Sequence, residues 1–332
     1  MDRSPDERAT MSAIVQDGYG SADVLELREI ARPQVADDEV LLRVHAAGVD
    51  LGVWHLMTGL PYLVRPVLGL RRPKNPVRGR EVAGEVEAGA NVTRFRPGDE
   101  VMGIGEGTFA EYASVREDKL APKPVNLTFE QAAAVPISAT TALQALRDKG
   151  HVQPGDHVLV IGASGGVGTF AVQLATAFGA HVTGVCSTAK MVLVRSLGAE
   201  HVVDYTREDI VDAQRRYDLI LDCGGRRSIP HLRRALAPRG KLVIVGGEGG
   251  GRWTGGFGRG FRAAALSLFV RQQLRMLVAT ERGDDLRTLR ELIEEGKVTP
   301  VVDRTYPLPD APAALRYLKT GHVRGKLVVP MP

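Results

Sequence analysis

The stretch VLVIGASGGVGTFAVQLA, residues 158–175, decides the fold of this 332-residue chain. It passes from an apolar run through the pattern A-x-G-x-x-G into a segment with helical spacing of apolar residues. This pattern is a variant of the dinucleotide fingerprint, whose glycines let the pyrophosphate approach the backbone and let the helix pack against the strand. The helix N-terminus then offers N–H groups and a positive dipole to the phosphates. The residues expected at the phosphates are Ala163, Ser164, Gly165, Gly166, Val167 and Gly168; the alternative is a tight turn without a ligand.

The segments on either side of this stretch predict two kinds of structure. Residues 39–115 contain short apolar runs broken by Gly and Pro, which is typical of strands with tight turns. From residue 157 onward, apolar runs alternate with helical patterns, which predicts right-handed crossovers and a doubly wound parallel sheet. The strand–helix–strand pattern from residue 298 is expected to rejoin the β-rich domain. Helices are expected over residues 166–179, 190–198, 228–240, 261–279 and 285–296.

Composition and charge limit the class of protein. Hydrophobic residues make up 44% of the chain and charged residues 25%, as in soluble globular proteins. The net charge of +4 is too small to indicate nucleic-acid binding, although residues 71–80 and 252–275 are basic without an acid. No apolar run has the length of a membrane span. Residues 1–10 are interpreted as a flexible extension without the apolar core of a signal peptide, so a cytoplasmic location is expected.

The chain has two cysteines, Cys186 and Cys223, and each closes an apolar run. Two cysteines are too few for a disulfide framework or a cysteine-rich zinc site. We expect both to be buried thiols without a catalytic role.

The residues after the second strand of the alternating region indicate which dinucleotide binds. In an NAD site, an Asp or Glu is expected about 20 residues after the glycines. No acid occurs between Ser164 and Ala199, and Ser187, Thr188 and Lys190 stand at this position. Hydroxyl and ammonium groups donate hydrogen bonds that a 2′-phosphate accepts. The pattern therefore predicts NADPH; the alternative is that Lys190 only opens the next helix and faces water.

Stretches covering nearly the whole chain from Met11 resemble the medium-chain dehydrogenase/reductase superfamily, and within it the zinc-independent quinone-oxidoreductase-like branch. They are GREVAGEVEAGANVTRFRPGDEVMG, GTFAEYASV, AAAVPISATTALQAL, VQPGDHVLVIGASGGVG, SLGAEHVVDY, YDLILDC and GKLVIVGG. The resemblance implies an α/β fold with a β-rich GroES-like catalytic domain of residues 11–127 and 298–332. A Rossmann domain of residues 128–297 is implied between these two segments.

The resemblance also implies contacts to the cofactor outside the glycine loop. Lys190 matches the family's phosphate-contacting lysine, and Tyr205 matches a family tyrosine. Thr141 matches the position that borders the nicotinamide ribose. Gly246 and Gly247 match backbone that lies beside the nicotinamide. Members commonly form dimers through edge strands of the Rossmann sheet, so a homodimer is a further expectation.

The positions at which zinc-dependent members carry ligands hold other residues here. Asp50 stands at the cysteine position and Arg80 at the histidine of the motif GHE, and the four-cysteine structural lobe is absent. Arginine has no lone pair for a metal, so neither a catalytic nor a structural metal is predicted. Without a Lewis acid, oxidation of a simple alcohol is difficult, whereas a quinone or enone spreads the charge of an added hydride over its own carbonyl system.

Three residues are candidates for the acceptor pocket. His55 could protonate the reduced acceptor, or it could be satisfied by a partner elsewhere. Arg80 could hold an acceptor oxygen or pair with Glu81 or Asp50, and the sequence does not choose between these roles. Asp50 replaces an asparagine common in the quinone-oxidoreductase-like branch.

These features favour an NADPH-dependent oxidoreductase acting on a small-molecule quinone or enone. One alternative is an enoyl-thioester reductase of the same fold, for which arginines of 252–275 could form a basic entrance. The other is a non-catalytic NADPH-binding scaffold or sensor, because a phosphate loop shows binding capacity and not turnover.

Overall fold

The structure is a computed structural model that describes residues 10–89, 91–211, 215–246 and 250–332. Two predictions fall outside these ranges: residues 1–9 of the N-terminal extension, and Gly247 at the nicotinamide. The remaining predicted site residues are all described.

Two sheets and a hairpin organise the described part of the chain. The strands of the hairpin and of the β-rich domain are β1 (Thr10–Val15), β2 (Glu26–Ala31), β3 (Glu39–Val49), β4 (Glu81–Gly89), β5 (Glu100–Ile104), β6 (Tyr112–Arg116), β7 (Leu120–Pro122), and β14 (Val302–Thr305) and β15 (Lys326–Pro330) near the C-terminus. The strands of the parallel sheet are β8 (His157–Ile161), β9 (His181–Cys186), β10 (His201–Asp204), β11 (Tyr217–Asp222), β12 (Leu236–Ile244) and β13 (Gln273–Met276).

The α-helices lie mainly around the parallel sheet and at its junction with the β-rich domain. They are α1 (Leu51–Thr58), α2 (Arg65–Leu68), α3 (Phe129–Ala133), α4 (Pro136–Gln144), α5 (Gly166–Ala177), α6 (Met191–Ser196), α7 (Ile229–Ala235), α8 (Phe257–Ser267), α9 (Gly283–Glu294) and α10 (Ala311–Lys319).

The β-rich domain contains a seven-stranded sheet in which the two ends of the chain meet. The order is β14-β15-β3-β4-β5-β7, and β6 pairs with β3. β15 runs antiparallel to β3 with Leu327 opposite Val49. The C-terminal strand therefore completes the sheet that the N-terminal strands begin, as expected for the tail.

The second sheet has six parallel strands in the order β10-β9-β8-β11-β12-β13. Counted from β8, this order is 3-2-1-4-5-6, the Rossmann arrangement, with its crevice between β8 and β11 where the winding direction reverses. The apolar residues of β8 and β11 are buried, as strands covered on both faces require. The predicted α/β class, with a doubly wound Rossmann sheet and a GroES-like domain, is confirmed.

Two predicted helices are partly wrong. The helix expected over 228–240 ends at Ala235, and β12 begins at the next residue. The helix expected over 261–279 ends at Ser267, and β13 follows within the same apolar pattern. The Ser267 hydroxyl oxygen accepts the Leu274 N–H at 3.1 Å, and β13 pairs with β12 as the edge of the sheet. Spacing of apolar residues cannot distinguish a buried strand from a continued helix, and pairing decides between them here.

Candidate active site

The glycine loop connects the end of β8 to the start of α5. Gly162 has φ +79°, and its carbonyl oxygen accepts the Gly165 N–H at 3.0 Å. A Cβ on Gly168 would collide with the Gly162 carbonyl and lie 2.8 Å from the Ala163 Cα, so helix and strand approach closely there. A Cβ on Gly165 would meet only the Gly162 oxygen, at 3.4 Å, so the loop is open in front of the helix N-terminus. An open loop with unpaired N–H groups of the first helical turn fits a pyrophosphate.

The C-terminal tail crosses this loop. The Gly325 N–H donates to the Ser164 carbonyl at 2.9 Å, and the Lys326 Cδ lies 3.2 Å from the position of a Cβ on Gly166. Strand β15 thus fixes the backbone of the phosphate loop from the side of the catalytic domain.

Lys326 forms an ion pair with Glu81, and the two side chains are 2% and 0% exposed. The second Glu81 oxygen accepts the Ile137 N–H, at the start of α4, at 2.8 Å. Burial raises the pKa of Glu81 to about 6, although the Lys326 charge acts in the opposite direction. The pair joins three segments of the chain: the tail, β4 and α4. Lys326 was not recognised from the sequence, where the only sign of its role was a lysine at the start of an apolar strand.

A carboxylate does lie beside the predicted 2′-phosphate donors, and it comes from the next strand. Asp204 ends β10 opposite Cys186, the last residue of β9. It accepts a hydrogen bond from the Thr188 hydroxyl, and its other oxygen accepts the Thr206 N–H at 3.0 Å and hydroxyl at 2.7 Å. The Thr188 bond is the largest of the effects that hold the pKa of Asp204 below its ordinary value. Sequence spacing did not reveal this contact, because Asp204 reaches Thr188 through the pairing of β10 with β9.

Lys190 lies at the same edge and contacts the tail. Its Nζ donates to the Val323 carbonyl at 2.9 Å and to the Gly321 carbonyl at 3.3 Å. Burial and then the charge of Arg324 lower its pKa. Lys190 is therefore held by backbone and not directed freely at water, and Arg324 is a second cation at this edge that sequence analysis did not single out.

Ser187 and Tyr205 complete this edge. Ser187 precedes the short 3-10 turn Thr188–Lys190 and is partly exposed, with no side-chain capping bond. Tyr205 donates its N–H to the Cys186 carbonyl at 3.1 Å, and its ring is exposed. The structure thus brings the predicted donors together, while Thr188 and Lys190 already have partners within the chain.

The residues predicted at the nicotinamide lie on α4 and just after β12. Thr141, on α4, donates its hydroxyl to the Ile137 carbonyl at 2.7 Å and is partly exposed. The Gly246 N–H donates to the Asp222 carbonyl at 3.0 Å, and a Cβ there would collide with the Cys223 carbonyl oxygen. Gly246 therefore lies against the end of β11, where only a residue without a side chain fits.

The two cysteines differ in burial. Cys186 is buried, and burial raises the pKa of its thiol to about 11. Cys223 is partly exposed as a residue, yet burial still raises the pKa of its thiol. A raised pKa keeps both thiols protonated and unreactive, although the expectation of full burial is wrong for Cys223.

The basic segment 252–275 does not form one basic surface. Arg259 reaches inward to the fully buried Asp222, with an N···O distance of 2.5 Å, and also donates to the Arg227 carbonyl at 2.6 Å. Arg275 donates to the Lys149 carbonyl at 3.1 Å.

The other basic segment, 71–80, is also partly turned inward. Arg78 is buried, and burial lowers its pKa to about 10. Arg80, the last residue of the segment, is partly buried, with 26% of its side chain exposed.

Arg80 forms an ion pair with Glu281, which precedes α9 of the Rossmann domain. The same carboxylate binds Lys119 of the catalytic domain at 2.6 Å. Burial opposes the charge of Arg80, but Asp50 and Glu281 outweigh it and raise the pKa of the guanidinium. Of the alternatives that the sequence left open, a pair with Glu81 is not formed, because Glu81 binds Lys326. Asp50 acts on Arg80 through its charge.

Asp50 is the N-cap of α1. Its Oδ1 accepts the N–H groups of Gly52 and, at 3.3 Å, Val53. Its buried Oδ2 has no hydrogen-bond partner among the described residues. Asp50 therefore has a structural role in α1, and one oxygen remains for a donor.

His55 lies one turn further along α1, and its Nδ1 is 2.9 Å from the Leu60 carbonyl. Because a carbonyl oxygen only accepts, this nitrogen carries the hydrogen. The neutral ring then has its lone pair on Nε2, so it can give a proton from Nε2 only as imidazolium.

The loop after α1 contacts the glycine-rich loop of the Rossmann domain. The Tyr62 N–H donates to the Arg252 carbonyl at 2.8 Å, and the Leu63 N–H to the Trp253 carbonyl at 3.1 Å. The Tyr62 and Trp253 rings meet edge to face at 5.4 Å. The two domains are thus joined by backbone bonds next to His55.

The donor set does not fit the zinc ion of the wider superfamily. Arg80 offers no lone pair, and Asp50 is engaged with the backbone of α1. Within residues 10–89, 91–211, 215–246 and 250–332, no group of three His, Cys, Asp or Glu side chains is placed to hold a metal. The absence of zinc stays a prediction. In the same ranges, no helix combines the length and the apolar character needed to cross a membrane.

Comparisons with known proteins show the family of this chain. Residues 36–125 match the family described as alcohol dehydrogenase GroES-like domain, and residues 197–329 the family described as zinc-binding dehydrogenase. An NADPH-dependent alkenal/one oxidoreductase of Arabidopsis thaliana is 36% identical, over 97% of this chain and 80% of that protein. A 2-methylene-furan-3-one reductase of Solanum lycopersicum is 34% identical, over 95% of this chain and 78% of that protein.

Among solved structures, the quinone oxidoreductase from Coxiella burnetii superposes with a TM-score of 0.85 at 28% identity, covering 98% of this chain and all of that one. The chain therefore belongs to the medium-chain dehydrogenase/reductase superfamily, and it is an NADPH-dependent oxidoreductase of the quinone and alkenal reductase group.

Proposed function

We propose that the protein reduces a quinone or a conjugated enone without zinc, with Arg80 and His55 acting on the acceptor. The observation that carries this proposal is an arginine, Arg80, at a position where zinc enzymes have a ligand. Its neighbour Glu81 pairs with Lys326, whose side chain lies against the open dinucleotide loop. The printed functions of the alkenal/one, furanone and quinone relatives support the same class of acceptor.

Bound NADPH supplies the hydride. The chain then has to stabilise negative charge on the acceptor oxygen and deliver a proton. Arg80 has five N–H donors, and its Nη2 alone binds Glu281, so the guanidinium can also donate to that oxygen. His55 as imidazolium is the proposed proton source.

The cofactor-binding residues remain proposals in the same sense. The open loop 163–168 supports contact with the pyrophosphate, and Ser187, Lys190 and Tyr205 at one edge support contact with the 2′-phosphate. Because Lys190 already binds two carbonyls of the tail, we infer that it orders the tail and the phosphate together. The domain boundaries, 11–127 with 298–332 and 128–297, are likewise proposed.

The test is NADPH oxidation with three acceptors: phenanthrenequinone, methyl vinyl ketone and crotonyl-CoA. We expect kcat/KM for the quinone or the ketone to be at least ten times that for crotonyl-CoA. A tenfold ratio corresponds to about 1.4 kcal/mol of free energy. Faster turnover of crotonyl-CoA would favour the enoyl-thioester alternative. Tight NADPH binding without any turnover would establish the non-catalytic alternative.

A homodimer forms the second part of the proposal. Phe261, Leu268 and Phe269 lie 63%, 82% and 84% exposed on and just after α8, and the edge strand β13 follows. Exposed large apolar side chains and an unpaired strand edge are features that a partner subunit covers. Light scattering should give twice the 35.8 kDa of one chain, and Phe269→Asp should lower this mass; a monomeric wild-type protein would refute the proposal.

The location of the protein is the last part. A cytoplasmic location is proposed, although curated relatives include chloroplastic and mitochondrial proteins. Fractionation of the source cells with an antibody to the chain tests it.

A further inference from the structure

A second polar pocket lies at the opposite edge of the Rossmann sheet, where the parallel strands begin. Its volume is about 330 Å³. It is lined by residues at the starts of β8, β9, β10 and β11 and just before them: His157, His181, Thr183, Glu200, His201, Arg215, Arg216 and Tyr217. The pocket includes His157, the first residue of β8, and the glycine loop begins five positions later, about 16 Å away at the usual rise of a strand. It is therefore distinct from the cofactor crevice.

Two arginines in this pocket are available to an anion. Among the described residues, Arg215 and Arg216 have no acidic partner, and the Arg216 guanidinium contacts only the Arg215 carbonyl at 3.3 Å. The acids nearby are already engaged: Glu200 binds the His181 Nδ1 at 2.9 Å, and Asp218 accepts the His157 N–H at 3.0 Å.

With neutral histidines, the two arginines and two acids cancel. Each protonated ring of His157, His181 and His201 then adds one positive charge. The rings of His157 and His181 stack with centroids 5.2 Å apart, so two imidazolium ions there would repel each other unless an anion lies beside them.

A buried donor supports a ligand at this site independently of the charges. Tyr217 is 1% exposed, and its hydroxyl, although next to Thr183, has no hydrogen-bond partner of acceptable geometry in the described part of the chain. A buried hydroxyl without a partner is costly, and a ligand oxygen in the pocket would satisfy it.

We propose that this pocket binds the phosphate group of a small phosphorylated molecule. Guanidinium, imidazolium and hydroxyl groups together provide the charge-assisted hydrogen bonds that a doubly charged oxyanion accepts. The volume exceeds that of a bare phosphate, which leaves room for a small organic group.

The test uses sulfate as the probe, because its charge stays constant between pH 6 and 8. The full chain is saturated with NADPH to occupy the glycine loop, and sulfate is titrated at constant ionic strength while histidine NMR resonances are followed. Saturable shifts of the resonances of His157, His181 and His201 are expected. Linear, unsaturable shifts would overturn the proposal.

Two variants and a control locate the site. Arg216→Gln should weaken sulfate about tenfold, the cost of one charge-assisted hydrogen bond, and Tyr217→Phe should weaken it severalfold while keeping the buried ring. His151→Asn removes a histidine outside the pocket, at a positive φ that Asn tolerates, and should leave the affinity unchanged. Unchanged binding in both pocket variants would refute the assignment.

At pH 6, glycerol 3-phosphate is then compared with inorganic phosphate. Tighter binding of the ester supports an organic ligand. Equal or weaker binding of the ester contradicts that part of the proposal.

Discussion

The buried pair of Glu81 and Lys326 gives the most quantitative prediction. Replacing one member, as in Glu81→Gln, leaves the other charge without its partner in a site that is at most 2% exposed. Breaking a buried pair from one side costs about 3–5 kcal/mol. At about 2–4 °C per kcal/mol for proteins of more than 150 residues, the Tm should fall by roughly 10 °C.

The matched variant removes both charges. Glu81→Leu with Lys326→Met should recover most of the lost stability, because two buried charges are then replaced by apolar side chains. Lys326→Met alone should also weaken NADPH binding, since β15 holds the Ser164 carbonyl through Gly325. Thermal unfolding with and without NADPH measures both effects. Single variants that each cost less than about 1 kcal/mol, or a double variant equal to their sum, would show that the pair is not coupled.

Three further predictions concern the site. Lys190→Met should raise the KM for NADPH about 10- to 100-fold, because a charge-assisted bond to the phosphate is lost. The KM for NADH should rise less, only through looser packing of the tail. Equal increases in the two KM values in steady-state assays would contradict a phosphate contact. Arg80→Met should lower kcat with a quinone about tenfold or more. The control Lys119→Met, which breaks a bond to the same Glu281, should leave kcat nearly unchanged. Similar kcat values for the two variants would place Arg80 outside the acceptor pocket. The pKa of Asp204 is lowered in the folded protein, so its contribution to stability is present above its ordinary pKa and is lost as pH falls through the folded value. The stability difference between wild type and Thr188→Val, measured by urea unfolding, should therefore shrink below about pH 4, and a difference independent of pH would refute the bond's role.

Local features of the site could be predicted from the sequence. The glycine spacing of residues 163–168 sets a turn between adjacent elements, and both the turn and the parallel sheet that follows were predictable from short-range pattern. The fold class followed from regular alternation of strands and helices along the second half of the chain.

Long-range pairings could not be predicted in the same way. Glu281 lies 201 residues from Arg80, and Lys326 lies 245 residues from Glu81, so no spacing rule connects them. Asp204 reaches Thr188 because β10 pairs with β9, and an argument that counts residues along one strand misses it. The strand β13 was misread because its apolar residues continue the pattern of the helix before it, and only sheet pairing separates the two.

We propose that this chain reduces conjugated carbonyl compounds with NADPH and needs no metal. The most direct measurement is kcat/KM for a quinone and an enone with NADPH and with NADH, using enzyme treated with a strong chelator and analysed for zinc. We expect full activity with substoichiometric zinc, and NADPH preferred by about 100-fold, as two charge-assisted bonds to the 2′-phosphate would give. Loss of activity on chelation that added zinc restores, or equal use of both cofactors, would contradict the claim.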